Sequence, residues 1–273
     1  MEPETEYELT GGNVNRVVRI GDTVRRPAGP WTPAVHALLA HLHDVGFTAV
    51  PRPLGLDDQG REVLSYLPGR AAWPDASAAL SPLQRLAQVG RLVRQLHDAT
   101  TSFVPPPEPR WNVLIPADGG DLIVHHDLAP WNLVVGDDGS FSIIDWDAAA
   151  PGTRLWDIAY AAHGFVPLSA DPAYGTPAGA SPAPAPAGRP GGAAGLRLRT
   201  FVDAYDLDED QRRALVPLLG RRSRSMHDFL AAQADFGVEP WVTHWREGHG
   251  TAWRNDADWT DQRQSEWQAA LLD

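Results

Sequence analysis

Residues 125–147 constrain this chain more than any other stretch, because polar residues there are interleaved with short apolar runs that read as strands. The segment runs His125-His126-Asp127-Leu128-Ala129-Pro130-Trp131-Asn132, then Leu133-Val134-Val135, then Gly136-Asp137-Asp138-Gly139. It closes with an apolar run from Phe141 to Ile144 and the triplet Asp145-Trp146-Asp147, and Leu122 to Val124 supplies a third strand ahead of it. Two apolar runs joined by a Gly-Asp-Asp-Gly turn spell a hairpin. Its ends meet, so Asn132 and Asp145 are expected side by side.

The rest of the chain divides around this segment. Residues 7–26 are rich in Val, Ile and Thr and are broken at Gly11-Gly12-Asn13 and at Gly21-Asp22, the pattern of short antiparallel strands with tight turns. Thr32-Pro33 opens a helix with apolar Val35, Leu38, Leu39 and Leu42, ending at Gly46. Residues 63–67 form an apolar strand closed by Pro68-Gly69. Ser81 as N-cap and Pro82 in the first turn start a helix striped by Leu83, Leu86, Val89, Val93 and Leu96. Residues 169–195 are almost all Ala, Pro and Gly, with too few large apolar side chains to offset ordering, and read as a flexible excursion. Helical spacing returns over 196–205 and 208–236, with Pro217 expected to kink the second helix or start a new one. The fold class is α+β, with a small antiparallel-sheet lobe and hinge over 1–69 and a larger, mostly helical lobe over 70–273.

Composition excludes several classes. With no cysteine there is no disulfide framework, thiol nucleophile or thiolate zinc site. A net charge of -12 opposes sequence-independent nucleic-acid binding, and it suits either a cationic partner or plain solubility. No run of about 18 apolar residues occurs, and the first nine residues lack a basic start and an apolar core, so a soluble, cytoplasmic protein without a membrane partner is expected.

Phosphoryl transfer from a nucleotide asks a protein to orient a nucleophile and to neutralise phosphate charge, commonly with Mg²⁺ held by a few hard oxygens. An Asp opening a loop, an Asn five residues later and an Asp thirteen beyond that answer both needs. Asp and Asn also favour turns for backbone reasons, and residue type alone leaves that reading open.

The pattern H-x-D-x-x-x-x-N followed by D-W resembles the catalytic and metal-binding loops of the aminoglycoside phosphotransferase family, relatives of the protein kinases. His126 stands where these enzymes often carry Gly, and Trp146 where protein kinases carry Phe. The resemblance implies a bilobal protein-kinase-like fold, Asp127 as catalytic base, and Asn132 and Asp145 as Mg²⁺ ligands. It also implies ATP or GTP as donor and a small-molecule hydroxyl as acceptor, on an aminoglycoside-like or other antibiotic. The alternatives are a metabolite kinase of choline, homoserine or amino-sugar type, or a catalytically weak binding module. Asp157, in Trp156-Asp157-Ile158-Ala159, resembles the family residue that braces the catalytic loop, whereas His125 reads as a packed scaffold residue.

The N-terminal half resembles the family's nucleotide lobe. Gly12 lies in a turn whose amides face phosphates, or in a plain hairpin, and backbone groups of Ser65, Tyr66 and Leu67 are expected to hold a purine edge. The family's strand Lys is replaced by Arg25 or Arg26, and alternation alone does not decide which faces the nucleotide. Its partner Glu on the next helix is absent, since Val35 and His36 occupy that region, so Asp44 or a carboxylate of the second lobe is expected to position the Arg. Near the C-terminus, Trp241, Trp245, Trp253, Trp259 and Trp267 lie among acids; most are expected to pack the last helices, with the acids solvated.

Overall fold

The computed structural model describes residues 6–9, 17–73, 77–171 and 191–273. Gly11-Gly12-Asn13, expected as a phosphate-facing turn or a plain hairpin, lie outside the described residues, as do 172–190. Five short strands form an antiparallel sheet in the order β1-β2-β3-β5-β4: β1 (Tyr7–Glu8), β2 (Val18–Ile20), β3 (Thr23–Arg26), β4 (Pro53–Leu56) and β5 (Glu62–Ser65). Helix α1 (Thr32–Asp44) packs by the sheet, burying Val35, Leu38, Leu39 and Leu42, the stripe its three- and four-residue spacing demands. Gly46, at φ +88°, turns the chain out of the helix.

From β5 the chain passes through Tyr66 and Leu67, which the sequence placed in the strand itself, into β6 (Arg70–Ala71). At Gly69 φ is +142° and any Cβ would run into the Val135 carbonyl, so only glycine lets the link lie flush on the hairpin. Helix α2 (Leu83–Thr100) follows, then β7 (Leu122–Val124), β8 (Leu133–Val135), β9 (Phe141–Ile143) and β10 (Ala150–Gly152). These strands pair as a three-stranded sheet β6-β8-β9 and a two-stranded sheet β10-β7.

The remainder is helical: α3 (Arg154–Phe165), α4 (Gly192–Tyr205), α5 (Glu209–Asp235), α6 (Trp241–Arg246), α7 (His249–Asp261) and α8 (Gln264–Leu272). Helix α5 packs on α3 and α7, and α4 on α2 and α8. Gly90 makes the α2–α4 approach close, since a Cβ there would lie 2.6 Å from the Phe201 carbonyl oxygen. Among the described residues no helix is long and apolar enough to cross a membrane.

Several sequence expectations are corrected. Pro82, extended at ψ 135°, is the N-cap of α2 in place of Ser81, whose carbonyl accepts from Arg197 Nη1 at 2.9 Å. Leu83 is consequently exposed at the helix start rather than part of the apolar stripe. Helix α5 continues through Pro217 rather than starting anew there; the proline lies on the exposed side, and it leaves the Arg213 carbonyl without its helical partner. The two ends of the segment expected as an excursion are ordered: Ser169 and Ala170 bond Asp256, and α4 begins at Gly192, while 172–190 lie outside the described residues. Of the C-terminal tryptophans Trp267 is fully buried while Trp245 is exposed, and of the acids Asp256 is buried, paired with His163 Nε2 at 2.8 Å.

Candidate active site

Strand β7 runs into His125, which is fully buried, stacks edge-on against Trp146 at 4.7 Å and bonds the Ile144 carbonyl through Nε2 at 3.0 Å. Its Nδ1 accepts from the Asp127 amide at 3.2 Å, so the ring ties the start of the loop to the end of the hairpin. His126 adopts φ +64°, a left-handed conformation that a residue with a Cβ rarely takes and that clusters at functional sites. Asp157 Oδ1 accepts the His126 amide at 2.7 Å, and Asp157 Oδ2 meets His97 Nε2 at 3.0 Å. Burial pushes the Asp157 carboxyl up, but the His97 hydrogen bond and the nearby imidazoles outweigh it and hold the group below the usual carboxylate range.

This turn presents Asp127. Asn132 Nδ2 donates to Asp127 Oδ2 at 2.8 Å and to its backbone carbonyl at 2.9 Å, and the Tyr160 hydroxyl also bonds the carboxylate. Burial nevertheless pushes the Asp127 carboxyl above the usual range, opposed by the Tyr160 and Asn132 hydrogen bonds and reinforced by the charge of Asp145. Asn132 closes a 3-10 turn, Pro130–Asn132, and its carbonyl accepts the Ile144 amide at 2.9 Å, which extends the β8–β9 ladder by one step and sets Asp145 beside it. Asp145 is also left-handed, at φ +61°, and its side chain is 48% exposed.

Arg26, and not Arg25, faces this hairpin. Its Nη1 lies 3.1 Å from Asp145 Oδ1, its Nη2 pairs with Asp147, and its Nε lies 3.2 Å from Glu62 Oε2. The Glu62 and Asp147 contacts are ion pairs rather than aligned hydrogen bonds. Burial opposes the charge on Arg26, yet the three carboxylates raise its proton affinity further. Asp147, which also accepts from Trp31 Nε1 at 2.9 Å, is pushed up by burial against the pull of Arg26. Arg25 points to the opposite side, toward Thr23 and Asp57. The carboxylate that positions Arg26 from its own sheet is neither Asp44 nor a helical residue: Glu62 sits directly opposite it across β3 and β5. His36 Nε2 reaches the other Glu62 oxygen at 2.9 Å, so α1 is linked to the cluster through a histidine.

Glu62, Asp147 and Tyr160 are the residues the sequence reading missed. Tyr160 was within reach, three residues past Asp157 and hence on the same helix face. Of the hinge residues, Ser65 and Tyr66 already donate their amides to the Arg52 and Asp22 carbonyls, at 2.9 and 2.8 Å. Leu67's amide has no partner among the described residues. A cavity of about 560 Å³ lies against this hinge, lined by Arg19, Asp22, Tyr66, Gly69, Arg70 and Asp137, with the Arg19 guanidinium 3.8 Å over the Tyr66 ring. It does not include the Asp127 loop.

An antiparallel sheet hinged through 66–69 to a helical body, with a loop and hairpin of this layout beneath it, defines the two-lobed protein-kinase-like class of small-molecule phosphotransferases. A model of the phosphotransferase enzyme family (APH) matches residues 6–118 and 110–190. The chain belongs to this family, and its reaction class is phosphoryl transfer to an alcohol. It is 31% identical to the trifolitoxin immunity protein of Rhizobium leguminosarum bv. trifolii, over 97% of this chain and 98% of that relative. Among solved structures, a choline/ethanolamine kinase family protein from Mesorhizobium loti superposes with a TM-score of 0.62 at 15% identity, covering 98% of this chain and 92% of that one. Spectinomycin phosphotransferase in complex with ADP and spectinomycin gives 0.61 at 11% identity, covering 96% and 93%. At such identities these two structures speak for the fold.

Proposed function

We propose that this protein transfers the γ-phosphoryl group of ATP or GTP to a hydroxyl of a small antibiotic or toxin, with Asp127 as the base. One observation carries the reading: Asn132 bonds the Asp127 carboxylate while its backbone pairs with Ile144, gathering a base, two hard-oxygen side chains and the cation Arg26 in one cluster. The trifolitoxin immunity relative, similar over nearly its whole length, favours an acceptor from the antibiotic and toxin class.

In this mechanism the acceptor oxygen attacks the γ-phosphorus, the bond to the bridging oxygen breaks, and the nucleoside diphosphate leaves. The hydroxyl proton passes to Asp127, whose proton affinity burial raises above that of an ordinary carboxylate. Asn132 and the carbonyl it bonds fix the carboxylate's direction. Arg26 offers the phosphates a cation that is always charged and two-pronged. The Leu67 amide, without a partner among the described residues, is the hinge donor for a purine edge.

Asn132 and Asp145 fit Mg²⁺. With Nδ2 committed to Asp127, Asn132 keeps Oδ1 as its acceptor, and Asp145 is exposed enough to reach a phosphate-borne ion. Bound there, the ion would neutralise phosphate charge.

The test is nucleoside diphosphate release with Mg²⁺ and either ATP or GTP across a panel of aminoglycosides, trifolitoxin and amino alcohols. Acceptor-dependent release with an antibiotic or toxin supports the reading. Release only with an amino alcohol transfers it to the metabolite-kinase alternative, and no release with any acceptor favours the binding module.

A further inference from the structure

Helix α5 presents Leu215, Val216, Leu219, Ser223 and Leu230 to the core, a stripe in which position 222 would ordinarily be apolar. It is Arg222, only 3% exposed. The guanidinium is 5.4 Å from the Trp156 ring and 4.3 Å from the Tyr160 ring, so its charge is held against the aromatic faces of α3. It makes one hydrogen bond among the described residues, Nη2 to the His126 carbonyl at 3.0 Å, while Nε and Nη1 are buried without partners. A buried charge with one hydrogen bond, balanced only by the nearby Asp127 and Asp157 carboxylates, is weak as a stabilising device, since a well-packed apolar side chain in its place is often neutral or better. Where its one hydrogen bond falls points to another role.

The single bond falls on the left-handed residue just before Asp127. Asp157 fastens the amide of His126 and Arg222 fastens its carbonyl, so both polar groups of this backbone unit are gripped. Tyr160, whose ring Arg222 covers, also bonds the Asp127 carboxylate. Arg222 thus reaches Asp127 by two routes, one through the backbone and one through a side chain. We infer that Arg222 is a positioning residue that holds the His126 peptide and Tyr160 so that the Asp127 carboxylate faces the acceptor hydroxyl. This rests on the reading of Asp127 as the base.

The experiment uses the full chain with Arg222→Met, which keeps length and removes the donor, and Arg222→Lys, which keeps one. Hydrogen–deuterium exchange of the peptide spanning 122–132 reads the clamp whether or not any acceptor is known. Mg-ATP and Mg-GTP hydrolysis, with water as acceptor, reads the consequence. In Arg222→Met, faster exchange of this peptide is expected, with turnover at least 30-fold lower, nucleotide KM within twofold of wild type and an unchanged or higher thermal midpoint. Arg222→Lys should recover at least fivefold of that loss. On an Asp127→Asn background Arg222→Met should cost nothing further, because its effect passes through Asp127. Wild-type exchange, an equal loss on both backgrounds, or a KM rising in step with the fall in turnover would overturn the inference; should the Met variant fail to fold, the Lys variant decides on the same readouts. If the wild type hydrolyses neither nucleotide and transfers to no acceptor, the kinase reading fails, while exchange still decides on the clamp.

Discussion

At the scale of single residues, Asp127 carries opposed demands of stability and reactivity. Because burial raises its pKa in the folded protein, its favourable contribution to folding is complete below the unfolded value of about 4 and is lost as pH rises through the folded value. Asp127→Asn should therefore raise the thermal midpoint near neutral pH by about 2 °C or more, a gain that shrinks toward pH ~4, while turnover falls roughly 10²- to 10⁴-fold. A lower midpoint at neutral pH would contradict the burial argument. The acid limb of kcat/KM should likewise lie above the ordinary carboxylate range. On the proposed phosphate role of Arg26, Arg26→Ala should raise nucleotide KM on the order of tenfold or more, Arg25→Ala should leave it within about twofold, and Arg26→Lys should recover part of the loss. Equal effects of the two alanine variants would show that the cleft-facing side was misassigned. The motif around Asp127 was legible because its residues are close in sequence and their spacing mirrors their task. Glu62 was not, because its tie to Arg26 exists only in the register between β3 and β5, 36 residues apart in sequence (62 − 26).

At the scale of elements, apolar periodicity placed α1, α2 and the hairpin well, since each buries one stripe or face. It erred where local rules met context. Pro217 was expected to kink α5 or to start a new helix; α5 continues through it, and the proline lies on the solvent side, where its missing amide is tolerated at a cost. Replacing it with Ala should restore the bond to the Arg213 carbonyl and stabilise the protein by about 1–2 kcal/mol, after allowance for the looser unfolded chain. A urea midpoint that does not rise would mean the helix has adapted to the proline. Gly90 illustrates the converse: Ala is the better helix former, yet its Cβ would press on the Phe201 carbonyl and the Ala204 side chain of α4. Gly90→Ala should therefore destabilise, by about 1–3 kcal/mol on the scale of an overpacked core, as read from the same urea curves. No single-sequence pattern reveals such a contact, because it depends on how two distant helices cross.

For the whole molecule, Asn132→Ala and Asp145→Asn should weaken Mg-nucleotide binding together with turnover, while binding measured without Mg²⁺ changes little for Asn132→Ala. A nucleotide titration with and without the metal checks both, and unchanged metal dependence would remove these residues from that role. The arrangement around Arg26 has a further consequence. One permanent cation on the sheet is held by Glu62, Asp145 and Asp147, two of them on the opposite side of the cleft. On the proposed roles, a metal at Asp145 would draw charge away from Arg26, and a phosphate at Arg26 would draw charge away from Asp145. On those roles, whichever arrived first would weaken the pair that competes with its companion, so the two ligands would assist each other by a shared coupling free energy, equal in both directions. Either alone should bind weakly, and the cleft would work as a lock that opens only to both keys together.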